Sequence, residues 1–60
     1  MTYDAILEQF DRLGLDESEG MALLAGSNMI SDNAIRVQDI NSADIYYAVK
    51  WLKACKKGDA

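Results

Sequence analysis

The sequence predicts an all-α fold, with three to four short helices in one small domain over residues 1–60. Three observations carry that expectation. Apolar residues recur at helical spacing near both ends of the chain. Gly14, Gly26 and Gly58 punctuate the stretches between. Half the residues are apolar and none is proline, a composition too rich in core formers for a disordered tail.

The first helix is expected over about residues 3–13. Thr2 suits its cap, and Asp4 suits the positive end of its dipole. Tyr3, Ile6, Leu7, Phe10 and Leu13 fall within an arc of about 120°. Gly14 supplies the left-handed residue that ends the helix, and Leu15 folds back onto the last turn. Asp16 opens a second helix over about 17–25, and Glu19 completes a capping box. Met21, Leu24 and Ala25 form its inner side. Gly20 interrupts the pattern and weakens it, and Gly26-Ser27-Asn28 breaks it.

Residues 29–40 read two ways. Ser31 or Asp32 can cap a third helix over 32–38, with Ile35 and Val37 apolar. The alternation of Ile35 and Val37 with Arg36 and Gln38 fits instead a short β-hairpin over 29–37, turning at Asp32-Asn33. An isolated two-stranded ribbon is marginal in water, so the helix is preferred. The last helix is expected over 42–56. Asn41 caps it, Asp44 lies in its first turn, and Ile40 with Ile45 forms a hydrophobic staple. Lysines fill its last turn, and Gly58 closes it.

A chain of 60 residues has room for one core only, and its stability is marginal. One Cys and no His remove disulfides, zinc fingers and His-based catalysis. Self-association or docking on a partner is the remaining support. The longest apolar run, Met21 to Ala25, is far below the ~20 residues of a membrane span. The start, Met1-Thr2-Tyr3-Asp4, lacks the basic residues of a signal peptide, so a cytoplasmic setting is expected.

Ten acidic and six basic residues give a net charge of −4. The charge is unevenly placed. Residues 1–45 carry nine carboxylates against Arg12 and Arg36, whereas residues 46–60 carry four lysines against Asp59. The acidic portion repels phosphates and favours basic proteins. Within it, Asp4, Glu8 and Asp11 form one stripe along the first helix, where Glu8–Arg12 is the favourable pair. Asp16, Glu17 and Glu19 continue the negative field. Such a face either docks on Lys/Arg-rich surface or is solvated for solubility alone.

The last helix has more apolar surface than a small core needs. Ile45, Ala48, Val49, Leu52 and Cys55 form one stripe, and Tyr47, Trp51 and Ala54 widen it to roughly 220°. Tyr47 and Trp51, at i and i+4, make an aromatic ridge suited to a partner protein or a homodimer through this helix.

No catalytic residue, metal site or cofactor site is expected. Cys55 has no His to activate it and sits on the apolar stripe. No Gly-rich phosphate loop or nucleophile motif occurs. Neither Asp16, Glu17 and Glu19 nor Asp39 and Asp44 have the spacing of a calcium loop. The expected function is therefore non-catalytic protein binding: a small acidic adaptor or inhibitor that occludes a basic surface.

In size, charge and lack of catalytic groups the chain is similar to small accessory proteins of phages and mobile elements. That similarity implies an antagonist of a host enzyme or nucleic-acid-binding complex. Residues 25–37 also resemble part of a helix-turn-helix. Ala25, the turn at Met29-Ile30-Ser31, and Ile35 take its small, turn and apolar positions, with Met29 where the motif has Gly. This implies a DNA-associated regulator with Arg36, Lys50, Lys53 and Lys57 as contacts. A further alternative is an assembly factor or structural subunit.

Overall fold

The computed structural model describes residues 2–56. It is all-α, with α1 at Tyr3–Leu13, α2 at Glu17–Gly26, a single 3₁₀ turn at Val37–Asp39, and α3 at Ser42–Ala54. Among the described residues there is no strand.

Helix α1 ends as its glycine dictates. Gly14 adopts φ 74°, a left-handed conformation. Its N–H donates to the Asp11 carbonyl at 3.0 Å, and the Leu15 N–H donates to the Phe10 carbonyl at 2.9 Å. This is a full Schellman motif, and half-buried Leu15 packs against the core. Helix α2 ends the same way. Its left-handed residue is Asn28, at φ 60°, rather than Gly26. The Met29 N–H reaches the Leu24 carbonyl at 2.9 Å, which turns the chain back over the core.

The capping box of α2 forms. The Asp16 carboxylate accepts from the Glu19 N–H at 2.8 Å, and the Glu19 carboxylate accepts from the Asp16 N–H at 3.2 Å. Thr2 and Asn41 take the cap positions of α1 and α3, but neither side chain makes a capping hydrogen bond. At α3 the Asn41 carbonyl starts the helix, accepting from Asp44 and Ile45. The staple residues Ile40 and Ile45 are both buried.

Residues 29–36 correct the expected third helix over 32–38. They form turns and bends, and helical geometry is confined to the 3₁₀ turn. The hairpin over 29–37 is not formed either. Local side chains explain this. The Ser31 hydroxyl accepts from the Asn33 N–H at 3.2 Å, a serine turn that competes with helix. The Asp39 carboxylate accepts from the N–H groups of Ile35 and Arg36, at 3.3 and 3.1 Å. These donors, satisfied by a side chain, have no need of a preceding helical turn. Ile30, Val37 and Ile40 then drop into the core from an irregular segment.

Helix α1 packs against α3, the 3₁₀ turn and α2. Its direction relative to α3 follows from two contacts. At one end the Tyr3 hydroxyl lies 3.5 Å from the Ile40 carbonyl. At the other, Arg12 reaches the carbonyls of Leu52 and Cys55, at 2.6 and 2.9 Å. The two helices therefore run side by side in the same direction. The long path through α2 and residues 27–41 makes this parallel pairing possible. Phe10, Ile6, Leu24, Leu52, Val37 and Val49 are the largest fully buried side chains.

Gly20 belongs to this core. A Cβ at Gly20 would stand 2.5–2.6 Å from three atoms of the Phe10 ring. Glycine in α2 thus lets the ring lie against helix backbone, which the expectation of a merely weakened helix does not capture. Helix α3 ends at Ala54 rather than residue 56. Lys57 and Gly58, expected at its close, lie outside the described residues.

Candidate functional site

The six acidic candidates divide into two groups. Asp16 and Glu19 cap α2 through each other. The Glu17 carboxylate accepts from the Val37 N–H at 3.0 Å, across 20 residues of sequence. That bond ties the start of α2 to the 3₁₀ turn and satisfies a donor beside the buried Val37 side chain. These three carboxylates build the fold. Glu17→Ala is expected to lower stability by about 1–2 kcal/mol by stranding the Val37 N–H, while Glu17→Gln, which keeps an acceptor, costs less. Thermal unfolding of the two variants checks this; equal losses would show that the bond does not matter.

Asp4, Glu8 and Asp11 form the second group. All three are exposed on the side of α1 away from Ile6 and Phe10. Leu7, 42% exposed, lies among them, and Tyr3 is exposed at the same helix end. The expected Glu8–Arg12 pair does not hold the guanidinium. Arg12 instead donates to the Gln9 side chain at 2.8 Å and to the two carbonyls at the end of α3. The carbonyls at the end of α3 carry the negative end of its dipole, and two of them lie together within reach of one planar guanidinium. The stripe is therefore uncompensated by Arg12.

The two aromatic candidates differ in exposure. Tyr47 is 60% exposed, and its ring meets Tyr46 edge to face with centroids 5.3 Å apart. Trp51 is only half-exposed and packs against the core. Tyr46, absent from the expected ridge, is 50% exposed and joins it. Its neighbour spacing to Tyr47 is the one signal the sequence held. Lys50 and Lys53 are exposed on the same side of α3, between and beyond these rings.

The helix-turn-helix pattern at 25–37 has no second helix, because residues 32–36 are not helical. Arg36 is exposed just before the 3₁₀ turn rather than on a reading helix. Lys50 and Lys53 stand on α3, and Lys57 lies outside the described residues.

Cys55 is a half-buried free thiol that points back along the helix, its Sγ 3.6 Å from the Trp51 carbonyl. Among the described residues no three Cys, Asp or Glu side chains gather to hold a metal ion. No helix among them is long and apolar enough to cross a membrane. Comparisons with protein families, curated proteins and solved structures found no match.

Proposed function

We propose that the chain is a non-catalytic protein-binding module, a small acidic adaptor or inhibitor that occludes a basic surface. One observation carries this reading. Asp4, Glu8 and Asp11 stand exposed in one row on α1, with half-exposed Leu7 among them, while the other three candidate acids, also exposed, each accept a backbone hydrogen bond. A row of carboxylates beside an apolar side chain matches a basic groove with an apolar floor. The charges steer the encounter, and Leu7 adds burial once water leaves. A lone unpaired thiol fits a reducing, cytoplasmic setting.

Capture from native cell lysate by the immobilised protein tests this, at about 50 mM and about 300 mM salt. A basic protein retained at low salt and largely released at high salt is the expected result. Retention of acidic proteins alone, or no retention at either salt, overturns the reading.

A further inference from the structure

The exposed side of α3 carries the opposite charge to that of α1. Ala43, Tyr47, Lys50 and Ala54 follow one another at spacings of four, three and four residues, and all are exposed. Tyr46 and Lys53 flank this line and are exposed too. Small and aromatic residues at that spacing make a surface on which another helix packs. Helix α1 exposes Tyr3 and Leu7 at i and i+4, with Asp4, Glu8 and Asp11 in a row beside them.

Orientation decides how two such faces can be used. On α1 the acidic row lies about half a turn from the buried Ile6, Gln9 and Phe10. On α3 the line through Tyr47, Lys50 and Ala54 lies about half a turn from the buried Ile45, Ala48, Val49 and Leu52. The two helices pack together through their buried sides. Their exposed faces therefore look out on opposite sides of the molecule. One second copy cannot meet both, so these faces do not build a closed two-fold pair. Setting α1 on α1, or α3 on α3, juxtaposes like charges, which opposes docking. An acidic face on one side and a basic face on the other are the layout of a head-to-tail contact, which repeats instead of closing. We propose that the α3 face of one copy receives α1 of the next, so that copies add one after another in an open chain. Asp4, Glu8 and Asp11 then lie along Lys50 and Lys53, and Tyr47 covers Leu7.

Each copy carries a net charge of −4, which opposes self-contact at long range. At about 100 mM salt the screening length is about 10 Å. The smallest extent of the molecule is 16 Å, so the charges in contact outweigh those on the far sides. One helix pair buries less than the roughly 800 Å² per partner of a standard interface, so assembly shows only at high protein concentration. The inference does not rest on the proposed function. A basic target and a second copy compete for α1, and only the second copy also engages α3.

Sedimentation equilibrium of the 60-residue chain at about 100 mM salt, from about 10 µM to about 1 mM protein, tests the inference. The mean mass is expected to climb with concentration past twice that of the monomer, with no plateau at two copies. Two variants then separate the faces. Asp4→Asn, Glu8→Gln and Asp11→Asn combined disable α1 alone. Tyr47→Ala, Lys50→Gln and Lys53→Gln combined disable α3 alone. Each variant by itself is expected to be monomeric, because its surviving face finds only a disabled one. Their equimolar mixture is expected to form pairs and stop there, since one intact contact remains for every two chains. All six residues are exposed, and circular dichroism of each variant checks that the helices persist. A native chain that stays monomeric at every concentration overturns the inference and leaves the α3 face to a foreign acidic partner. A native plateau at two copies, a variant that assembles alone, or a mixture that remains monomeric overturns it equally.

Discussion

Gly20→Ala is expected to destabilise the domain by about 1–3 kcal/mol, against the ordinary preference of helices for alanine. Intrinsic propensity alone favours the substitution by about 1 kcal/mol. The geometry reverses that sign. The new Cβ would lie 2.5 Å from the Cε1 and Cζ atoms of Phe10, whose ring is 2% exposed and has no free side to move into. Either the ring leaves its rotamer or α2 shifts away from α1. In a domain this small each kcal/mol moves the melting temperature by about 4–8 °C, so the loss is plain in a thermal scan. The decisive comparison is a double-mutant cycle. Phe10→Leu is destabilising by itself, since it removes ring atoms from the centre of the core. In that background the clash is gone, and Gly20→Ala becomes neutral or stabilising by up to about 1 kcal/mol. An additive cycle, or stabilisation in the native background, would show that the ring does not rest on the Gly20 backbone.

Arg12→Met should cost about 1.5–3 kcal/mol, although the residue is exposed and a surface charge usually matters little. The methionine keeps an apolar stem and removes the guanidinium. Three bonds are then lost: to Gln9 Oε1 at 2.8 Å, to the Leu52 carbonyl at 2.6 Å, and to the Cys55 carbonyl at 2.9 Å. Gln9 is the one buried polar side chain among the described residues, and Arg12 is its partner. Arg12→Lys should recover only part of the loss. An ammonium is a single point charge and cannot span two carbonyls and an amide with a planar fork. Chemical denaturation gives the stabilities, and amide exchange locates the effect. Faster exchange is expected in the last turn of α3, with α2 little changed. Equal stability of the native chain and Arg12→Met would mean that the two helices are held by apolar packing alone.

The parts of the fold visible in the sequence are those decided within a few residues. Gly14 ends α1 because only one backbone conformation closes that turn cheaply, and glycine accepts it. Asp16 and Glu19 start α2 by bonding each other's backbone, and that spacing is readable directly. Ile40 and Ile45 flank the start of α3 and are both buried. Residues 29–40 resisted reading because their conformation is fixed from a distance. The bond from the Val37 N–H to Glu17 crosses 20 positions, and no local pattern announces it. Asp39, which suits a helix start equally well, uses its carboxylate on Ile35 and Arg36 instead.

The same distinction applies to the candidate site. The stripe Asp4, Glu8 and Asp11 follows from helical spacing, and the three residues are exposed. Glu17 carries the same charge, yet it is consumed by the fold. Arg12 pairs across 40 residues rather than with its helical neighbour Glu8. Trp51 was legible as an apolar residue at the edge of the stripe, but its half-buried state depends on what α3 packs against. Tyr46 falls outside the apolar arc of the helix and is exposed, and its contact with Tyr47 extends the ridge.

The central claim is that the folded domain acts through the carboxylates on α1. Its most direct test compares the native chain with Asp4→Asn, Glu8→Gln and Asp11→Asn combined, which keeps side-chain shape and removes charge. Capture of a basic lysate protein should fall at least about tenfold, a loss of about 1.4 kcal/mol or more, with helicity unchanged. Undiminished capture by the neutralised chain would contradict the account.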